Sequence, residues 1–342
     1  MTDSDQGLSA QGKPWFLTRG VVLLVRDMET LDWPARAKKA GLSTIATHVF
    51  PHEIAAFAKT EAGRRFLADC CREGIHVEHE LHAMSDLLPR DLFAKDPAMF
   101  RMDEKQERIK EHNLCVHSKA AVEVVCESAI KYTRLLPSTT GRYFYWLDDG
   151  RPMCRCPECK ELSDSDQSLL LENQVLKAIR TVNPNVTLAH LAYHNTLPAP
   201  SKIKPEAGVF LEFAPIQRAY DQTIGERAGK CERYKLNHGD LLDYLDANLA
   251  VFGAAGAQAL EYWLDVSRFS GWKREKTERL SWHQDVYLED LRAYARRGIR
   301  HGTSFACWID GDYVRQFGNP PLTEYGEGML CWLDVNGRPE EQ

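Results

Sequence analysis

Eight short β-rich runs alternate with amphipathic helical segments along this chain, and that alternation constrains the fold more than any other feature. The runs lie near residues 21–25, 44–49, 75–81, 143–147, 187–193, 209–213, 257–264 and 303–308. Between most of them, apolar residues recur at helical spacing. Val122, Val125, Cys126, Ala129, Thr133 and Leu136 form one such face, and Leu241, Leu242, Leu245, Leu249 and Phe252 form another. Gly74, Pro137, Asn183-Pro184, Gly253 and Gly298 stand where these helices should stop. Strands that alternate with helices imply a parallel sheet, and eight strands close a (β/α)8 TIM barrel. The alternative, an open doubly wound sheet that binds a dinucleotide, calls for G-x-G-x-x-G after the first strand. That motif is missing there.

A chain of 342 residues can hold one large domain with a substantial core. The expected organisation is a disordered N-terminal tail over 1–14, then one barrel domain over 15–342. Two connections are too long for plain crossovers, and they read as insertions at about 82–117 and 214–236. The net charge of −6, without a long basic run, argues against nucleic acid as a partner. No apolar run approaches the ~20 residues of a membrane span, and the polar start lacks a signal core. These features predict a cytoplasmic protein with reduced thiols and leave oligomer formation open.

In a barrel of this kind, chemistry gathers where the strands end. Strand ends here carry Arg26 and Asp27, His48, Glu80 and His82, Asp148 and Asp149, Tyr193 and His194, Glu212, Glu261 and Asp265, and Trp308 and Asp310. Carboxylates, imidazoles and aromatic rings in one bowl suit sugars, whose C–H faces stack and whose hydroxyls need acceptors. The expected carbohydrate contacts are Arg26, His48, Glu80, His82, Tyr193, His194, Tyr262, Trp263, Trp308 and Asp310.

The sharpest motif is Asp148-Asp149-Gly150 at the end of the fourth run. Neighbours on a strand face opposite ways, so both acids meet one substrate only if the chain bends, which Gly150 would permit. Two such carboxylates push their pKa values apart, the division that glycoside hydrolysis uses. The plainer alternative has one acid capping a loop and the other solvated. Glu261 and Glu212 are candidates for nucleophile or base, or else for salt bridges to Arg26 or a neighbour.

Cys154, Cys156 and Cys159 follow at metal-ligand spacing. Tetrahedral zinc needs a fourth ligand. Cys231 on the second insertion is the first choice, then Cys115 and His194. Such a zinc would be structural; the alternative is three unligated thiols. The run His76–His82 is rich in ligand types and leaves a metal-dependent hydrolase or lyase as another reading. A third is a non-catalytic carbohydrate-binding barrel.

Several separated segments carry a resemblance. They are Leu87-Leu-Pro89, Phe93, Pro97-Ala-Met-Phe100, Asn113-Leu-Cys115, Tyr145-Trp-Leu-Asp-Asp-Gly150 with its cysteine run, His190-Leu-Ala-Tyr193 and Leu211-Glu-Phe-Ala-Pro215. Over about 75–310 the chain resembles the bacterial domain of unknown function 4838, which is grouped with barrel glycoside hydrolases of the α-glucuronidase and hexosaminidase kind. The resemblance implies a barrel and a carbohydrate substrate. The Asp-Asp pair is similar to that of family 84 N-acetylglucosaminidases, which implies that Asp148 orients a substrate acetamide and Asp149 is the general acid. The expected activity is a glycoside hydrolase-like one on a small glycoside or oligosaccharide.

Overall fold

The computed structural model describes residues 14–330. The tail expected over 1–14 falls outside them apart from Pro14, as does the end of the expected domain, 331–342. The eight runs are eight strands: β1 (Thr18–Leu24), β2 (Thr44–His48), β3 (His76–His82), β4 (Arg142–Trp146), β5 (Thr187–Ala192), β6 (Val209–Phe213), β7 (Gln258–Glu261) and β8 (His301–Phe305). Each pairs in parallel with the next, and β8 pairs with β1 to close the barrel. Helices fill the connections, except that from β5 to β6, which holds only the 3-10 turn His194–Thr196. The longest are Glu61–Glu73, Lys119–Leu135, Asp164–Ile179, His238–Phe252 and Gln284–Ala295.

Local chemistry sets their ends. Ser118, Ser163 and Asn237 cap three of these helices by accepting a backbone N–H two or three residues on. Gly74 closes Glu61–Glu73 at φ +69°, where a side chain would be strained. β1 begins at Thr18, earlier than its apolar run, because inward positions of a barrel strand need not be apolar. β7 stops at Glu261, shorter than its run, because Asp265 caps the helical turn Val266–Phe269.

Side chains alternate inward and outward along each strand. The barrel interior below the mouth is polar, where branched apolar side chains more often fill it. Gln258 Nε2 lies 3.0 Å from both Glu80 Oε1 and Glu212 Oε1. Its Oε1 accepts from Arg142 Nη2 at 3.0 Å. Burial raises the pKa values of Glu78 and Glu80 and lifts that of Glu212 to about 8.

Buried apolar residues form two clusters. In one of them the segment after β3 (Met84, Leu87, Leu88, Met99, Phe100, Leu114) packs with Met153 and the cysteines that follow β4. The insertion after β3 and the loop after β4 are therefore one packed unit. Among the described residues, no helix is long and apolar enough to cross a membrane.

Candidate active site

A cavity of about 260 Å³ opens at the C-terminal end of the barrel. The last inward positions of all eight strands build it: Leu24, His48, His82, Trp146, Leu191 with Tyr193, Ala214, Leu260 with Tyr262, and Phe305 with Cys307. Loop residues complete it: Asp149 after β4, Ile216 after β6, Asp265, Ser267 and Trp272 after β7, and Trp308 after β8. The floor is aromatic and imidazole-rich. His48 packs at 5.5, 5.6 and 5.1 Å from His82, Trp146 and Phe305, centre to centre. Trp272 is 44% exposed at the mouth.

Two carboxylates line this cavity. Asp149 is exposed and its Oδ1 accepts from the Tyr193 hydroxyl at 3.0 Å. Asp265 is buried, and its Oδ1 accepts from Ser267 Oγ at 2.5 Å and from the Arg268 N–H at 3.2 Å. Burial outweighs those bonds and lifts the Asp265 pKa to about 6. Both imidazoles are fixed in orientation. His48 Nδ1 meets the Glu80 carbonyl at 2.6 Å, and His82 Nδ1 meets the Leu147 carbonyl at 2.9 Å.

Asp148 departs from expectation. It faces away from the main cavity, towards the first insertion. Its Oδ2 pairs with Arg90 Nη2 and accepts the Asn113 N–H, each at 2.5 Å, while Asn113 Oδ1 accepts the Asp148 N–H at 3.0 Å. Alternation continued from the inward Trp146 would turn Asp148 into the cavity; the chain instead leaves the strand after Trp146 and bends at Asp148, so that Asp149 meets the cavity and Asp148 the insertion. Asp148 and Asp149 together line a cavity of about 20 Å³ that shares His82, Trp146 and Tyr193 with the main one.

Other expected contacts lie elsewhere. Glu261 sits between the inward residues Leu260 and Tyr262, so it points outward. There it is fully buried and accepts from Arg218 Nη1 and the Tyr220 hydroxyl, each at 2.9 Å, and from the Tyr294 hydroxyl. Its ionic partner is Arg218, not Arg26. Trp263 likewise faces outward and donates to Asp290 at 2.9 Å. Glu212 and Glu80 are sealed inside the barrel; Glu212 accepts from Trp146 Nε1 at 2.7 Å. Asp310 is buried as the cap of the helix Gly311–Phe317 and pairs with Arg274 and with the exposed Arg26. His194 lies beside the cavity, with Nδ1 3.2 Å from Gln217 Nε2.

The four buried thiols of Cys115, Cys154, Cys156 and Cys159 lie within 4.8 Å of one another, a group of a size to hold a metal ion. Cys231, expected as the fourth member, is not in it. Among the described residues this is the only such group of three or more potential ligands. The His76–His82 run forms none: Glu78, Glu80 and His82 face inward, while His79 faces outward and bonds Thr47 at 2.8 Å.

Strand-end pattern pointed to Asp149, His48, His82, Tyr193, Tyr262 and Trp308. It gave no weight to Trp146 and Phe305, whose strand parity would have flagged them. It missed Trp272, which sits in a loop without any motif.

A family model described as Domain of unknown function (DUF4838) matches residues 28–237. No curated protein matches the chain. Among solved structures, the chain is similar to a β-galactosidase of the psychrophilic Marinomonas ef1 (11% identity, TM-score 0.54, covering 92% of this chain and 59% of that one). It is also similar to an endo-β-1,4-glucanase of Xanthomonas axonopodis pv. citri that carries a triple mutation (10% identity, TM-score 0.51, 92% and 99%). A second endo-β-1,4-glucanase of that organism gives 10% identity, a TM-score of 0.50 and coverage of 92% and 99%. These likenesses show the closed (β/α)8 barrel as the fold.

Proposed function

Because the chain belongs to the family described as Domain of unknown function (DUF4838), and carries a glycoside-hydrolase-like barrel, we propose that it is a glycoside hydrolase acting on a small glycoside or oligosaccharide. The observation that carries this reading is the pair Asp149 and Asp265, two carboxylates that follow β4 and β7 and line one aromatic-walled cavity.

Glycoside cleavage divides its work between a protonated carboxyl and a carboxylate. Asp265, whose pKa burial lifts to about 6, takes the acid role and delivers its proton to the departing glycosidic oxygen. Asp149, held by the Tyr193 hydroxyl, takes the carboxylate role opposite it. Trp146, Tyr262 and Trp308 hold the sugar faces. This reassigns the role expected of Asp149, and Glu261 and Glu212 take none. It also drops the acetamide-assisted route, because Asp148 is committed to Arg90 and Asn113.

The test is cleavage of glycosides with poor and good leaving groups. On an alkyl glycoside, Asp265→Asn and Asp149→Asn should each lower turnover by ~10²–10⁴-fold. On a dinitrophenyl glycoside, whose leaving group needs no proton, Asp265→Asn should stay near wild type while Asp149→Asn stays slow. Full turnover of the alkyl glycoside by either variant would reject the assignment.

The four-cysteine group reads as a structural zinc site that closes on Cys115. Zn–S bonds of ~2.3 Å in a tetrahedron require S···S separations of about 3.8 Å. Cys115 Sγ lies 3.7 Å from both Cys156 Sγ and Cys159 Sγ. The Met102 N–H at 3.2 Å from Cys154 Sγ, and His117 Nδ1 at 3.1 Å from Cys159 Sγ, suit sulfurs that carry charge. The four side chains would tie the insertion after β3 to the loop behind Asp149. Unpaired thiols suit a reducing compartment such as the cytoplasm.

A further inference from the structure

The polar wall of the main cavity is rich in acceptors, and its further donor side chains, Tyr262, Trp272 and Trp308, are neutral. A carbonyl oxygen only accepts, so the Nδ1 atoms of His48 and His82, bonded to the carbonyls of Glu80 and Leu147, carry the ring protons. Each Nε2 is then a lone-pair acceptor. Burial holds His48 neutral, with its pKa lowered to about 3. Asp149 and Asp265 add carboxylate oxygens, and the Tyr193 hydroxyl is already committed to Asp149.

Cationic side chains do not offset this. Among the described residues lining the cavity, none is lysine or arginine. Two guanidinium groups stack on aromatic residues of the wall, Arg274 on Trp308 at 5.1 Å and Arg233 on Trp272 at 4.9 Å, without lining the cavity themselves. Arg268 donates to the carbonyls of Ile216 and Arg218 and lies over Tyr220, and Arg274 pairs with Asp310. A sugar carboxylate or sulfate would enter against two carboxylates and two bare imidazole nitrogens. A sugar without negative charge brings hydroxyl donors, which all four groups can accept. The volume of about 260 Å³ falls just under the roughly 300–1,000 Å³ of pockets for drug-sized ligands, and so fits one ring.

We infer that the cavity is a subsite for a single terminal sugar ring bearing no negative charge, selected by hydroxyl donation to the Nε2 atoms of His48 and His82. The fate of the bound sugar rests on the glycosidase reading; its binding does not.

Calorimetric titration of the full chain at neutral pH with glucose, galactose, mannose and their uronic acids tests it. At least one neutral sugar should bind, with its uronate at least about tenfold weaker, a difference of 1.4 kcal/mol. His82→Phe, which removes one acceptor, should weaken the neutral sugar by about the same factor. Asp265→Asn, which removes one negative charge and keeps the shape, should narrow the gap between sugar and uronate. A uronate that binds as tightly as its neutral partner, or failure of all six to bind, overturns the inference. Aryl glycosides separate the two readings. Discrimination without cleavage keeps this inference and removes the hydrolase. Cleavage of a uronide keeps the hydrolase and removes this inference.

Discussion

If the chain is the glycoside hydrolase proposed above, replacing Ser267 by alanine should speed turnover at neutral pH. Ser267 Oγ donates to Asp265 Oδ1 at 2.5 Å, and that bond favours the carboxylate. The other groups that act on Asp265 are the Arg268 N–H and guanidinium and the Ser267 N–H, which also favour the anion and remain in the variant, while Tyr193, Tyr262 and Cys307 lie within electrostatic reach. A hydrogen bond to a charged group contributes about 1.5–3 kcal/mol, and one pKa unit is about 1.4 kcal/mol. Ser267→Ala should therefore move the Asp265 pKa up by roughly one to two units from its value of about 6. A general acid works while protonated, so kcat/KM falls about tenfold per pH unit above that pKa. At pH 7 only about a tenth of the wild-type acid holds its proton, against half or more in the variant, a gain of roughly fivefold. The assay is the pH profile of kcat/KM on an alkyl glycoside, alongside carboxyl-carbon NMR of Asp265 across the same range. A basic limb that stays in place or moves down in Ser267→Ala would refute the acid role, and so would a wild-type carboxyl that titrates near the ordinary aspartate value of ~3.9.

Three further outcomes are expected from the same structure. Elemental analysis should find one zinc per chain, lost together with thermal stability in Cys115→Ser and kept in Cys231→Ser. Arg218→Met should lower the urea unfolding free energy by about 3–5 kcal/mol, because it strands Glu261 and Asp290, which lie 2.9 and 2.6 Å from Arg218 Nη1; a loss under about 1 kcal/mol would mean that the pair is not buried as described. Stability should decline as pH rises from about 6.5 towards 8, above the range in which His48, His79 and His301, held neutral by burial, give the opposite slope. Burial lifts both Asp27 and Glu212 to about 8, above unfolded values of ~3.9 and ~4.3. Their contribution is complete below the unfolded pKa values and is lost as pH climbs through the folded ones, at about 1.4 kcal/mol per unit for each group. Asp27→Asn or Glu212→Gln should flatten the slope, and stability that rose over this window would contradict the protonated state of both.

The barrel was legible because helix and strand periods alternate along the chain, and because glycine and proline mark the helix ends. Cys115 was legible in principle. β4 lies beside β3, and β6 lies two strands away from β4. An insertion after β3 therefore reaches the cysteine loop directly, whereas Cys231, after β6, would have to cross the loop of β5. Spacing along the sequence carries no such adjacency; the strand order of a closed barrel does.

The site was less legible because barrel strands are covered on both sides. In the segment Ala259-Leu-Glu-Tyr-Trp263, both faces are apolar enough to be core, so alternation does not announce which residues face in. Gln258 fixes the parity. Its amide lies within bonding distance of Glu80 and Glu212 inside the barrel, which makes Leu260 and Tyr262 inward and sends Glu261 and Trp263 to the helices. The same count on β4 runs inward through Arg142, Phe144 and Trp146. It leaves Asp148 to the turn, where Arg90 and Asn113 claim it, and the residue after it completes the cavity wall. Continued past Trp146 and Tyr262, the count would turn Asp148 inward and Asp149 and Asp265 outward, the reverse of the cavity lining, so parity excludes Glu261 while the turns after β4 and β7 place Asp149 and Asp265. Acids within a barrel strand can accordingly be assigned by counting from a residue whose inward direction is known, whereas acids past the last strand residue follow the turn that carries them.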